Sequence, residues 1–199
     1  MRRLVDVIVA SIALLLLSPL VLALAVAVRT GLGSPVLFRQ VRTGKDDRPF
    51  TILKFRTMRA ERFPGEPDAD RLPRLGRFLR RTSLDELPQL VNVLTGDMSL
   101  IGPRPTLPEQ VRHYTERQHG RHAVRPGITG WAQVNGRNSL SWPERIELDL
   151  WYVEHRSVGL DLRILGRTLL RLVRPAGLYG DGGVNPGFPV STEDPTRDR

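Results

Sequence analysis

The sequence predicts a mainly α fold with a small β-hairpin (α+β), entered through an apolar membrane helix. Three patterns carry that expectation. Val7 to Val28 is apolar apart from Ser11, Ser18 and Pro19. Two β-rich runs, 36–41 and 50–55, flank a turn-forming stretch. Beyond Asp70, apolar residues recur at helical spacing. The chain has 199 residues, enough for one domain with a real core, and it contains no internal repeat. The expected organisation is a membrane helix over 1–30, a body at the cytoplasmic membrane surface over 31–190, and a disordered tail over 191–199.

As a straight helix, Val7–Val28 is about 33 Å long, enough to cross a bilayer. The run is longer than a signal-peptide core, and no small-residue cleavage site closes it before Arg29. Arg2 and Arg3 precede it; Arg29, Arg39, Arg42, Lys45 and Arg48 follow. The positive-inside rule wants both flanks on the cytoplasmic side. A helix that enters and turns back meets that demand, and Ser18-Pro19 sits near its middle. Pro19 leaves the carbonyl of Leu15 without its helical donor, and the Ser18 hydroxyl is placed to replace it. Each arm would be about 15 Å, roughly half the hydrocarbon core. The competing reading is an ordinary transmembrane helix with a proline kink.

Val36-Leu37-Phe38-Arg39-Gln40-Val41 and Phe50-Thr51-Ile52-Leu53-Lys54-Phe55 read as a hairpin turned by residues 44–49. Pro64, Gly65 and Pro67 mark Arg59 to Asp70 as a mobile loop. Leu72, Leu75, Phe78 and Leu79 form a helical stripe among arginines; Leu84, Leu87, Val91 and Leu94 form a second. Glu109 to His122 reads as a polar helix, and 125–138 as a glycine-rich loop segment. Ser141-Trp142-Pro143-Glu144 is a capping box that starts a helix through about Glu154. Leu160 to Val173 is amphipathic, with Arg163, Arg167 and Arg171 one turn apart; it suits a membrane interface or a surface packed on the core.

Composition excludes several chemistries. Cysteine is absent, so there are no disulfides or thiolate metal sites. The four histidines make no HExxH pair, against a zinc hydrolase. The formal net charge of +9 is almost all arginine and favours polyanions: nucleic acid, anionic lipid or phosphorylated substrates. No helix-turn-helix, zinc-finger or RNA-binding signature supports nucleic acid as the partner.

Asp85 and Glu86 are the candidate reactive pair. Ser83-Leu84-Asp85-Glu86 also fits a capping box, in which the acids merely relieve a helix dipole. As chemistry, one carboxylate could attack phosphorus while the other holds a divalent cation, with Arg80 and Arg81 one turn before them. In Pro103-Arg104-Pro105, two prolines restrain the backbone of an arginine whose fork suits a phosphate or a pyrimidine edge. Trp131 and Trp142 read as packing residues rather than ligand stackers.

Several longer motifs occur in order: Lys54-Phe55-Arg56-Thr57-Met58, Ser83 to Gln89, Gly96-Asp97-Met98-Ser99, Gly102-Pro103-Arg104-Pro105 and Arg125 to Asn138. On these the chain resembles the bacterial sugar transferases, the monotopic phosphoglycosyl transferases, and is similar to their small single-domain members typified by the Campylobacter enzyme of protein N-glycosylation. The resemblance implies transfer of sugar-1-phosphate from a UDP-sugar to undecaprenyl phosphate, with release of UMP, at the cytoplasmic face of the bacterial inner membrane. It implies Asp85 as nucleophile through a covalent phosphosugar intermediate, and Mg²⁺ held by Glu86 beside Asp85. It implies substrate contacts from Arg80, Arg104 between Pro103 and Pro105, Arg137 and Lys54, and a membrane break at Ser18-Pro19. A hexose-1-phosphate transferase priming exopolysaccharide is the near alternative. A membrane-anchored, non-enzymatic polyanion-binding protein is the distant one. Nothing in the sequence selects the sugar or an oligomeric state.

Overall fold

The computed structural model describes residues 2–136 and 140–173. Arg137, the glycine-rich segment 177–188 and the expected tail 191–199 lie outside the described residues. Helix α1, Arg2–Leu32, runs through Pro19 as one element. The Ser18 hydroxyl donates to the Leu15 carbonyl at 2.8 Å, the acceptor that Pro19 cannot serve.

One side of α1 lies along the body. Ala10, Ala13 and Leu14 pack with Ile52, Leu90, Val93 and Met98. About three turns further, Leu24 and Val28 pack with Phe55 and Leu79. Polar tethers fasten the N-terminal end: Arg3 donates to the carbonyls of Val93 and Leu94, and Asp6 accepts from the Ser99 hydroxyl and the Leu100 amide. Arg2 pairs with Asp161 at 3.2 Å. The opposite side leaves Leu4, Ile8, Ile12, Leu15, Leu16, Leu22 and Val26 exposed. Among the described residues, α1 is the helix long and apolar enough to cross a membrane.

Strands β1, Leu37–Thr43, and β2, Pro49–Phe55, pair antiparallel with Gln40 opposite Ile52 and Thr43 opposite Pro49. The hairpin is therefore the one the β-rich runs forecast, slightly longer at its turn. Asn92 docks it: its Oδ1 accepts from the Leu53 amide and its Nδ2 donates to the Thr51 carbonyl. Asn92 belongs to α4, Gln89–Thr95, so one side chain ties a helix to the strand that carries Lys54.

Segment 59–70, expected as a mobile loop, is irregular up to Pro67 and folds around a buried acid. Glu66 accepts from Arg59 and Arg62, and the short helix α2, Asp68–Arg71, follows. Helix α3, Arg74–Thr82, meets the chain just beyond β2 at Gly76. A Cβ on Gly76 would sit 1.9 Å from the Thr57 carbonyl oxygen, so only glycine permits this approach.

Two expectations are corrected. The polar helix over 109–122 is broken into α5, Pro108–Val111, and α6, Glu116–His119, followed by a tight turn over Gly120–Ala123. Thr115 restarts the helix with a reciprocal cap to Gln118, while Tyr114, Arg121 and His122 turn inward. The loop segment after Arg125 contains β4, Gly127–Thr129, and α7, Trp131–Asn135. β4 pairs in parallel with β3, Ser99–Ile101. This pairing brings Gly96-Asp97-Met98-Ser99 and Arg125-Pro126-Gly127 side by side. The strands come so close that a Cβ on Gly102 would lie 2.4 Å from the Arg125 carbonyl oxygen.

Helix α8, Trp142–His155, starts at the forecast capping box: the Ser141 amide donates to Glu144 at 2.7 Å. Helix α9, Val158–Val173, buries Leu160 and Ile164 against Val134 and Tyr152. It leaves Leu162, Leu165, Leu169 and Leu170 exposed. Its arginines do not all face outward. Arg167 donates to the Asn135 side chain and Arg171 to the Gln133 carbonyl, which ties α9 to α7.

Candidate active site

Helix α3 ends at Ser83, whose backbone is left-handed (φ 58°, ψ 18°). Residues 84–86 then form a single 3-10 turn, and α4 begins only at Gln89. The capping-box reading of Ser83 to Glu86 is thus overturned. Ser83 makes no side-chain cap, and the Glu86 carboxylate points to two cations instead of back to the Ser83 amide. A charged partner outbids a backbone N–H for a buried carboxylate.

Glu86 Oε1 accepts from Lys54 Nζ at 2.7 Å and from an Arg104 guanidinium nitrogen at 2.9 Å. Lys54 comes from β2 and Arg104 from the loop after β3, so three distant segments meet on one oxygen. Burial pushes the Glu86 carboxyl up, but Lys54 and Arg104 outweigh it and hold the group below the ordinary carboxylate range.

Asp85 is 8% exposed and, among the described residues, its carboxylate accepts no hydrogen bond. Burial, then the charge of Glu86, pushes it up from 3.8 to about 6, against the partial relief of Lys54, Arg104 and Arg80. Neighbouring acids in a 3-10 turn point about 120° apart. One carboxylate is held as an anion; the other, which accepts no hydrogen bond among the described residues, is raised to about 6. Such a divergence is the pattern expected where two neighbouring acids take different roles.

Arg80 stands beside the pair. Its Nε donates to the Thr57 hydroxyl at 2.9 Å, so the close approach of Gly76 to Thr57 sets where Arg80 reaches. Pro103-Arg104-Pro105 is braced from behind by Arg121, which donates to the Arg104 carbonyl, the Thr106 hydroxyl and the Tyr114 hydroxyl, and pairs with Asp149. Both partners of this ion pair are 2% exposed. Sequence reasoning missed Arg121 and Asp149: nothing local signals that residues on α8 and in the turn after α6 meet behind Arg104.

The structure brings together Lys54, Arg80, Asp85, Glu86 and Arg104, with Pro103 and Pro105 framing the last. Ser18 and Pro19 lie within α1, which continues through them without interruption. A hard divalent cation takes oxygens from one or two carboxylates and completes its shell from phosphates and water. The donors present fit that pattern: both contacts to Glu86 fall on Oε1, leaving Oε2, and Asp85 carries a carboxyl that would be eased by added positive charge.

The chain matches the family profile of the bacterial sugar transferases over residues 1–175. It belongs to the bacterial sugar transferase family. EpsL of Bacillus subtilis (strain 168), an uncharacterized sugar transferase, is 50% identical over 181 residues, covering 89% of this chain and 90% of its own. The UDP-glucose:undecaprenyl-phosphate glucose-1-phosphate transferase of Escherichia coli (strain K12) is 42% identical over 86% of this chain and 40% of its own. A UDP-N-acetylgalactosamine-undecaprenyl-phosphate N-acetylgalactosaminephosphotransferase of Aeromonas hydrophila is 40% identical over 88% of this chain and 44% of its own. The chain therefore spans nearly all of the first relative and less than half of the other two.

The shift of Asp85 gives a signed prediction for this sugar transferase. A carboxyl raised in the folded state binds its proton more tightly there than in the unfolded chain. Its contribution to stability is complete below about 3.8 and is lost as pH rises through about 6. Asp85→Asn should therefore be more stable than wild type at pH 8, by roughly 1–3 kcal/mol, with the advantage vanishing toward pH 4. Thermal unfolding of both proteins across that range checks it; a mutant that is less stable at pH 8 contradicts the assigned environment.

Proposed function

We propose that this sugar transferase moves sugar-1-phosphate from a UDP-sugar to undecaprenyl phosphate and releases UMP. The observation that carries the reading is the split between the two acids: Glu86 held by Lys54 and Arg104, Asp85 buried and, among the described residues, without a hydrogen bond. The names of the relatives from Escherichia coli and Aeromonas hydrophila, which place such transfers on undecaprenyl phosphate, supply the substrate class.

In the proposed reaction an Asp85 carboxylate oxygen attacks the sugar-bearing phosphorus. The bond from that phosphorus to the bridging oxygen breaks, and UMP leaves with the electron pair. The phosphate of the lipid then attacks the same phosphorus, the acyl phosphate bond breaks, and Asp85 returns to a carboxylate as the polyprenyl diphosphate sugar forms. Mg²⁺, held by Glu86 with Asp85 alongside, would neutralise diphosphate oxygens. Lys54, Arg80 and Arg104 supply fixed positive charge where oxygens gain charge, and Arg104 in its proline-framed turn meets the nucleotide side. Arg137 keeps its assignment as an assisting cation from the family resemblance. In two steps the soluble product leaves before the lipid reacts, so the bulky substrates need not be held together.

On this reading the body sits at the cytoplasmic face of the inner membrane and α1, continuous through Ser18-Pro19, lies in one leaflet. Support comes from the tethering of α1 at both ends to the same body, at Arg2, Arg3 and Asp6 and again at Leu24 and Val28. A helix crossing a bilayer would carry those ends to opposite sides. The exposed leucines of α9 and the outer side of α1 provide apolar surface for lipid. The organisation follows: membrane helix 1–30, interfacial domain 31–190 and tail 191–199.

Purified protein with Mg²⁺, undecaprenyl phosphate and a panel of UDP-sugars should release UMP with one of them, at a rate that rises with pH through about 6. Asp85→Asn should release none. Equal release by both proteins removes Asp85 from the chemistry; no release with any sugar favours a polyanion-binding role. Because the chain has no cysteine, Arg2→Cys and Ser157→Cys each create a single label site. Both should react with an impermeant maleimide from the same side of the membrane; opposite sides would exclude the one-leaflet arrangement.

A further inference from the structure

Beside Glu86, on the hairpin side, lies a small, largely enclosed cleft lined by Arg42, Ile52, Lys54, Gln89, Arg104 and Pro105. Three of these residues are cations, and Asp85 does not line it. Glu86, the acid nearest, already serves Lys54 and Arg104.

Two donors here are buried and lack an acceptor: Arg42 Nε and Gln89 Nε2. Arg42 otherwise donates to the Gln40 side chain at 2.6 Å and makes a long contact, 3.5 Å, with the Pro105 carbonyl. Gln89 is 2% exposed. A buried donor without a partner costs free energy, and two of them on side chains that line one cleft call for a ligand rich in acceptors. Burial, then the charge of Arg104, pushes the Arg42 guanidinium down to about 10, although Glu109 and Glu86 act against this. The cleft is thus short of negative charge as well as of acceptors. A phosphoryl group supplies both.

The direction of the cleft says which phosphate. Lys54 and Arg104 face both Asp85 and the cleft, so they stand between the nucleophile and Arg42. A diphosphate whose transferred phosphorus lies at Asp85 extends its departing half past Lys54 and Arg104 toward Arg42. An in-line displacement needs its leaving oxygen on the side away from the nucleophile. Accepting the donor class proposed above, we infer that Arg42 and Gln89 bind the departing phosphate of the nucleotide, so that the cleft is the seat of the nucleoside monophosphate. The sequence offered Arg42 only as one of the charges flanking the membrane helix.

The test measures binding of UMP and of uridine by calorimetry to the full chain in lipid nanodiscs, for wild type, Arg42→Gln, Arg42→Lys and Gln89→Met. Each variant is first checked for a wild-type melting profile, and any that fails is set aside for the others. Wild type should prefer UMP over uridine. Arg42→Gln should lose about 10-fold or more in UMP affinity and little in uridine affinity. Arg42→Lys, which keeps the charge, should fall between, and Gln89→Met should lose several-fold. The KM for the UDP-sugar should rise in the same order. If wild type binds neither UMP nor the UDP-sugar, the donor class fails and this inference with it. If wild type binds UMP and the folded variants bind it equally, or lose UMP and uridine in parallel, the donor class stands and the phosphate seat is wrong.

Discussion

One carboxylate oxygen, Oε1 of Glu86, accepts from both Lys54 and Arg104, and the rest of the site depends on that shared contact. It joins the hairpin, the tight turn after α3 and the proline-framed turn after β3. It also decides what each acid can do. Two adjacent carboxylates in a buried turn repel each other; tying one to two cations keeps it ionised and leaves the strain of burial on the other. Removing either cation would leave a buried charge partly uncompensated and move the ionisation of Asp85 as well.

The scaffold is arranged to keep that meeting point still. Asn92 bonds the backbone of β2 on either side of Ile52 and thereby positions Lys54. Gly76 lets α3 touch the Thr57 backbone, which sets Arg80. Arg121 and Asp149, buried together, hold the Arg104 carbonyl. A buried ion pair adds little net stability once its desolvation is counted. Its use here is positional, since its spare donors reach Thr106, Tyr114 and the backbone of Arg104. Helix α1 lies across the same body, with its inner side supplying core and its outer side left apolar. The candidate site is thus built against a helix whose outer side is apolar.

Much of this was legible in local chemistry. The hairpin declared itself through β-rich runs around Gly44 and Pro49, and α8 through its Ser141–Glu144 cap. The role of Ser18 as a donor to Leu15 followed from what a proline removes. What misled was chemistry that two partners could claim. Ser83 to Glu86 has the spacing of a capping box, but Lys54 and Arg104, distant in sequence, take the glutamate. Residues 109–122 have helical composition, but Tyr114 and Arg121 must reach the core and the chain breaks to let them. Strands of three residues, β3 and β4, carry too few positions for any periodicity. Long-range pairs such as Arg121 with Asp149, and the unmet donors of Arg42 and Gln89, exist only once the chain is folded.

The separation of tasks between Asp85 and Glu86 is tested most directly by looking for the covalent adduct. Protein mixed with Mg²⁺ and the accepted UDP-sugar, without lipid, is quenched rapidly and its peptides are read by mass spectrometry. A sugar-phosphate mass on the peptide containing Asp85, lost on adding undecaprenyl phosphate and absent from Asp85→Asn, is the predicted result. An adduct located on Glu86, or turnover with no adduct on either acid, would contradict it.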